Sequence, residues 1–258
     1  GARIADDGQW RFPDLDSVPY RFEQSILYFE DQYFYYHPGF NPVSTAKALY
    51  ENITSGKRRG ASTLTQQVIR LAKKNRRRTY FEKAIELVQA TRMEAGYSKK
   101  SILKLYASNA PFGGNVVGLE AASWRYFGIP AHELSWGQSA ALAVLPNAPA
   151  LVFPGKNEVI LKQKRDALLL KLFQKEVIDE TTYQMALLEE LPGKPYSLPD
   201  LAHHLTEKIR RNASNHRVTT TLNIDFQRNV NRVVEDYYYQ FKQNQVHNLA
   251  VLVLDVDT

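Results

Sequence analysis

The strongest constraint on the fold is a helical spacing of apolar side chains that recurs, between short turns, from Tyr20 to Leu191. In the stretch from Leu64 to Leu71, for example, apolar residues return every three or four positions after Ser62-Thr63, whose hydroxyls are good helix caps. Breaks such as His37-Pro38-Gly39 separate one helix from the next. The pattern predicts a mainly α domain, including single helices over Gly118–Phe127 and Pro130–Leu145.

The sequence changes character after Pro192-Gly193-Lys194-Pro195, a stretch typical of a linker. Residues 218–222 are rich in β-branched side chains and 248–254 are mostly apolar, so each predicts a strand, with an amphipathic helix over 225–241. We therefore divide the chain into three parts: a lead-in (1–19), a mainly α domain (20–192) and a short α+β C-terminal segment (193–258) that looks like the start of a further domain.

Positive charge is concentrated in one part of the chain. The 258 residues carry a net charge of +6, yet ten basic residues and one acid, Glu82, fall between Lys57 and Lys83. A protein that coats nucleic acid along its length would spread this charge, so we expect one anion-binding surface on a nearly neutral body. The chain has no cysteine, which excludes disulfides and thiolate metal sites, and no apolar run of the roughly 18 residues that a membrane span needs.

The first candidate for chemistry is the segment Glu30 to Gly39, which places a carboxylate at a helix end among aromatic residues. Burial there would raise the pKa of Glu30 toward that of a general acid or base. An ordinary helix end with solvated acids is the alternative.

The second candidate is the segment Gly60 to Gln67, which includes Ser62, Thr63, Gln66 and Gln67. Hydroxyls, amides and free N–H groups at a helix N-terminus form a donor-rich anion site. A plain Ser/Thr cap is the alternative, but the segment lies inside the basic stretch, which favours an anion.

The third candidate is the pair Lys83 and Glu86, which share one helix face at a spacing of three residues. A surface ion pair is one interpretation. In the other, Lys83 contacts a phosphate while Glu86 holds a cation or orients a leaving group.

Together these segments resemble the peptidoglycan glycosyltransferase domain of glycosyltransferase family 51, the polymerase half of class A penicillin-binding proteins. The resemblance covers about Tyr20 to Leu191, and Ala110 to Asn115 is most similar to the 1C subclass. The motif residues shared with the family are Glu30, Asp31, Phe34, His37, Gly39, Gly60, Ser62, Thr63, Thr65, Gln66, Gln67, Lys83, Glu86, Lys100, Ile102, Leu103, Tyr106, Gly118–Ala122 and Tyr126–Gly128. Two departures are Glu82, where the family has Arg, and Ala107-Ser108, where it has Leu-Asn. The segment after Leu201 is similar to the lead-in of a transpeptidase domain, without its catalytic serine motif, so acylation by penicillin is not expected.

The resemblance implies a lysozyme-like helical fold and the polymerisation of lipid II into glycan strands, with inversion at the anomeric carbon and release of undecaprenyl pyrophosphate. It implies that Glu30 is the catalytic base and that Glu86 positions cations or holds a magnesium ion, the only cofactor expected. The residues then expected to bind substrate or shape the site are Asp31, His37, Ser62, Thr63, Gln66, Gln67, Arg70, Arg78 and Lys83.

A polyprenyl-anchored substrate also implies a membrane surface. The resemblance places the protein on the periplasmic face of the inner membrane, with a transmembrane anchor upstream of Gly1 and other cell-wall synthesis proteins as partners. The aromatic cluster, formed by Tyr28-Phe29 and Tyr33–Tyr36, and residues 40–53 would touch the bilayer or, equally, belong to the core.

Several competing patterns are weaker. Ser44-Thr45-Ala46-Lys47 and Ser101-Ile102-Leu103-Lys104 fit the Ser-x-x-Lys pattern of penicilloyl serine enzymes by chance, and His203-His204 lacks further metal ligands. A lytic transglycosylase would also use a lone Glu, but would need no pyrophosphate site. A nucleic-acid-binding module based on Arg76-Arg77-Arg78 would leave Glu30 unexplained, so no nucleic-acid partner is expected.

Overall fold

The computed structural model describes residues 7–12, 14–42, 54, 62–73, 79–147, 154–193, 195–198, 200–212 and 218–254. It divides the chain into two compact units, Ile4–Ser197 and a smaller C-terminal unit that begins at Leu198. The α-helices of the larger unit whose bounds are described are α1 (Tyr20–Glu30), α2 (Leu64–Ala72), α3 (Tyr80–Gly96), α4 (Lys99–Asn109), α5 (Leu119–Phe127), α6 (Trp136–Val144), α7 (Glu158–Gln174) and α8 (Glu180–Leu188). The predicted mainly α fold is confirmed.

The core of the larger unit is built around α6, whose alanine-rich surface is almost wholly buried. Because most of its side chains are small, α1, α7 and α8 can all pack against it. A second group is formed by α2 with α3 and α4. The last residue of α1, Glu30, and the first turn of α2 are linked across these groups by a side-chain hydrogen bond.

The lead-in is part of the larger unit. Trp10–Arg11 (β1) pairs in parallel with Val116–Val117 (β2), and Leu15 lies in the core. Gly118 follows β2 with a φ of 89°, and a side chain there would lie 2.6 Å from the Ser108 carbonyl oxygen. Glycine is therefore required where this ribbon turns into α5.

Two predictions about elements are corrected. The single helix predicted over Pro130–Leu145 is broken into a 3-10 turn at Ala131–Glu133 and α6, since Ser135 and Gln138 form a capping box that starts a new helix. No strand forms at 218–222 or 248–254, so the described part of the C-terminal segment is not α+β.

The described residues of the C-terminal unit form two helices, α9 (His203–Asn212) and α10 (Ile224–Lys242). Apolar side chains at 218–222 and 249–254 are largely exposed there. A strand needs a partner to satisfy its backbone groups, and these residues find none among those described. No helix in the described residues is both long and apolar enough to cross a membrane.

Candidate functional site

Glu30 lies at the C-terminal end of α1 and is held from two sides. Gln67 Nε2 donates to its Oε2 at 2.9 Å, and Asn147 Nδ2 donates to its Oε1 at 3.3 Å. Burial raises the pKa of Glu30, the two hydrogen bonds oppose that rise, the charge of Asp31 adds to it and the charge of Lys164 opposes it. The carboxylate is thus both fixed in place and a better proton acceptor than a solvated glutamate.

Asp31 and His37 are buried beside Glu30 and bind each other. His37 Nδ1 accepts from Gly39 N at 3.2 Å, so Nε2 carries the proton that is shared with the Asp31 carboxylate at 2.9 Å. Asp31 Oδ2 also accepts from Leu64 N at 3.0 Å, which satisfies a free N–H at the start of α2. The observed contacts therefore fasten the end of α1 to α2, and direct contact of either side chain with substrate stays a prediction.

Thr63 completes this connection. Its Oγ1 donates to the Gly39 carbonyl oxygen at 2.7 Å and accepts from Gln66 N at 3.3 Å, so it acts as the predicted N-cap of α2. Gly39 has a φ of 89°, and a Cβ there would lie 2.7 Å from the backbone of Ala90. The Thr63 hydroxyl, which was predicted to bind an anion, therefore makes its hydrogen bonds within the protein.

A second group of polar side chains links α2 to α3. Arg70 pairs with both carboxylate oxygens of Glu86 at 3.2 Å and donates to Ser62 Oγ at 3.1 Å. Lys83 Nζ donates to Ser62 Oγ at 2.8 Å and to Gln66 Oε1 at 2.7 Å. The structure brings together Ser62, Gln66, Arg70, Lys83 and Glu86 as predicted, in what we call the cation cluster.

Glu86 serves the cations and does not suit a metal. Its Oε1 and Oε2 face Arg70, and Lys83 Nζ lies 3.9 Å from Oε2. Magnesium prefers several oxygen ligands, and the described residues contain no group of three His, Cys, Asp or Glu side chains that could hold a metal. The described residues therefore fit the role of positioning cations, while magnesium dependence stays an untested prediction.

Consecutive residues of α2 connect Glu30 with the cation cluster. Gln67 binds Glu30, while Gln66 binds Lys83. Neighbouring residues on a helix point about 100° apart, so one turn of α2 can serve two chemical groups on different sides. A substrate lying across this turn would meet a carboxylate at one end and two cations at the other.

Part of the predicted site lies outside the described residues. These residues are Gly60, Ala61, Arg76, Arg77 and Arg78, together with Lys57–Arg59, Lys74 and most of 40–53. Glu82, which replaces a family arginine, lies 3.4 Å from Lys73 and so forms an ion pair on the α2–α3 surface.

Sequence reasoning missed three contributors. Asn147 and Lys164 contact each other, with Lys164 Nζ 3.0 Å from Asn147 Oδ1, and they lie 117 and 134 positions from Glu30 along the chain. Lys99 donates to the His37 carbonyl oxygen at 2.6 Å and to Glu94 at 2.8 Å, and these bonds hold the loop that follows Glu30 in the sequence. The only available signal was an isolated polar residue, Asn147, after Leu145-Pro146 at the end of an apolar helix.

Comparison with known proteins shows which family the sequence matches. The family model described as Transglycosylase matches residues 2–173. The chain is 33% identical over 256 residues to penicillin-binding protein 1C of Escherichia coli (strain K12), a match that covers 98% of this chain and 33% of that protein. It is 34% identical over 183 residues to the monofunctional glycosyltransferase of Staphylococcus aureus (strain JH9), covering 68% of each.

Among solved structures, the 2.6 Å crystal structure of penicillin-binding protein 1A from Haemophilus influenzae matches 81% of this chain and 22% of that one, with 19% identity and a TM-score of 0.43. The chain spans about a third or less of the length of the penicillin-binding proteins that it matches.

Proposed function

The chain belongs to the transglycosylase family, and from that membership we propose that it is a peptidoglycan glycosyltransferase that polymerises lipid II into glycan strands. In this reaction the sugar 4-hydroxyl of an incoming lipid II attacks the anomeric carbon of a growing chain. The new C–O bond forms as the bond to the lipid pyrophosphate breaks, with inversion at that carbon. The hydroxyl proton passes to the enzyme, and undecaprenyl pyrophosphate leaves.

One observation carries this proposal: the two adjacent glutamines of α2 connect the partly buried carboxylate of Glu30 to the cation cluster. A sugar hydroxyl is a poor nucleophile at neutral pH, so a positioned base with a raised pKa is needed, and Glu30 has both properties. A direct displacement needs no enzyme nucleophile.

The cation cluster suits the leaving group. The charge that develops on a departing pyrophosphate must be stabilised most strongly in the transition state. Arg70 and Lys83 supply positive charge, and beside them lie the hydroxyl of Ser62 and the amide of Gln66. Glu86 keeps Arg70 in a fixed geometry before substrate binds. Pre-positioned charge avoids the cost of reorganisation during the reaction.

We further propose that the protein works at the periplasmic face of the inner membrane, since its lipid-anchored donor and acceptor are held there. The exposed rings of Tyr33 and Tyr36 lie next to the Glu30 loop and suit a membrane surface. Other cell-wall synthesis proteins are candidate partners.

The test compares two substrates. Purified chain is incubated with labelled lipid II and, separately, with purified peptidoglycan, each with and without moenomycin, an inhibitor of the resembled family. We expect polymer from lipid II that moenomycin suppresses, and no solubilised muropeptides. Clearing of peptidoglycan without use of lipid II would identify a lytic transglycosylase and contradict the proposal.

A further inference from the structure

Lys164 and Asn147 form a chain of hydrogen bonds that ends on the Glu30 carboxylate oxygen that α2 does not bind. Lys164 lies on α7 and is half-buried, and Asn147 closes the 3-10 turn Leu145–Asn147 after α6. Lys164 Nζ donates to Asn147 Oδ1 at 3.0 Å, and Asn147 Nδ2 donates to Glu30 Oε1 at 3.3 Å. The 3-10 turn thus contacts one carboxylate oxygen directly, and α7 is linked to it through the Asn147 amide.

The chemistry at both ends fixes how the amide is oriented. An ammonium can only donate, so it must face the amide oxygen, and a carboxylate can only accept, so it must face the amide nitrogen. A side chain of the same shape without both functions, such as Leu, would break the chain of contacts. With Gln67 on Oε2 and Asn147 on Oε1, each oxygen of Glu30 has its own donor.

We propose that Lys164 is a positioning residue for the Glu30 carboxylate, acting through the Asn147 amide, which it keeps turned so that its N–H points to Glu30. This inference rests on the proposed role of Glu30 as the base. Lys164 touches no reacting atom; it holds the group that does.

The charges that face Glu30 set the direction of the expected effect. They are Asp31 on the same segment and Lys164 on α7, while Tyr106 on α4 is a buried phenol whose pKa is raised by burial and by the charge of Glu30. Lys164 is the cation whose charge lowers the pKa of Glu30. The base acts when deprotonated, so loss of that cation raises the pKa and moves the acidic limb of the pH–rate profile to higher pH.

The experiment compares Lys164→Met with Lys162→Met, an exposed lysine on the same helix that pairs with Asp166 at 2.6 Å. Two readouts are taken on the full chain: the pH profile of kcat/KM with lipid II, and the titration of the Glu30 carboxyl carbon by ¹³C NMR without substrate, assigned with Glu30→Gln. We expect Lys164→Met to raise the pH at the titration midpoint of Glu30 and to move the acidic limb of the pH profile to higher pH. At pH values on the acidic side of that limb, kcat/KM should fall by about tenfold. Lys164→Arg, which keeps a donor and a charge, should restore most of the activity, and Lys162→Met should behave as wild type.

The two readouts separate the two claims. An unchanged Glu30 midpoint in Lys164→Met would overturn the role of Lys164, whether or not the protein is active. If the midpoint shifts in Lys164→Met but the wild-type chain does not polymerise lipid II, the proposed function is contradicted and the electrostatic link between Lys164 and Glu30 stays intact.

Discussion

At the scale of single residues, the site is built from pairs of side chains that bind each other in the absence of substrate. Arg70 and Glu86 form a two-point ion pair, and Asp31 and His37 form a buried hydrogen bond. Most of the residues involved could be predicted from sequence, because Glu30, the Ser-Thr-Gln-Gln stretch and the Lys83/Glu86 pair are local patterns. Asn147 and Lys164 could not, since their role arises only when distant elements meet.

The Arg70–Glu86 pair gives a prediction at this scale. Arg70→Ala removes a cation from the proposed pyrophosphate site, so we expect kcat/KM with lipid II to fall by about a hundredfold. Glu86→Gln should also lower it, and the double variant should lose less than the two separate losses combined, because both act through one arrangement. Steady-state kinetics measures this, with the exposed Arg92→Ala on α3 as control. Wild-type kinetics in Arg70→Ala would exclude the arginine from the reaction.

At the scale of elements, helix existence was predictable and helix limits depended on capping. The cap predicted at Ser62-Thr63 is confirmed at Thr63, whose side chain accepts a hydrogen bond from Gln66 N in the first turn of α2. The break before α6 was missed because an apolar spacing continues across it, whereas the Ser135–Gln138 capping box starts a new helix. The strand predictions at 218–222 and 248–254 were wrong because side-chain type favours a strand without providing a partner for it.

The loop between α1 and α2 supplies the prediction for elements. Gly39→Ala would place a Cβ 2.7 Å from the Ala90 backbone at a φ of 89°, and would push away the carbonyl that Thr63 binds. We expect a loss of about 2–3 kcal/mol in the free energy of unfolding, seen as a Tm about 5–10 °C lower. Gly96→Ala, where a Cβ meets no atom within 4 Å, should leave Tm unchanged or slightly higher. Equal Tm values for the two variants would contradict the close approach.

At the scale of the whole molecule, the candidate site and the core belong to the unit Ile4–Ser197. Every residue of the hydrophobic core cluster lies in that unit, and the described residues from Leu198 onward include no buried side chain. The sequence indicated a change of character near Pro192, but it could not show that the lead-in joins the larger unit through β1.

A shortened chain tests this division. We expect a chain ending at Ser197 to keep its Tm within about 2 °C and to polymerise lipid II at a rate close to that of the full chain, since it retains the whole core and site. Calorimetry and a lipid II assay measure both properties. A large fall in Tm would show that the C-terminal unit stabilises the larger one.

The most direct measurement of the central claim is single-turnover polymerisation of labelled lipid II by wild type and Glu30→Gln. Glutamine keeps the shape of the side chain, so the variant should fold as the wild type does, which circular dichroism would verify. It cannot accept the hydroxyl proton, so it should not act as a base. The account predicts glycan polymer from the wild type and a rate at least about a hundredfold lower for the variant. Equal rates for the two folded proteins would contradict it.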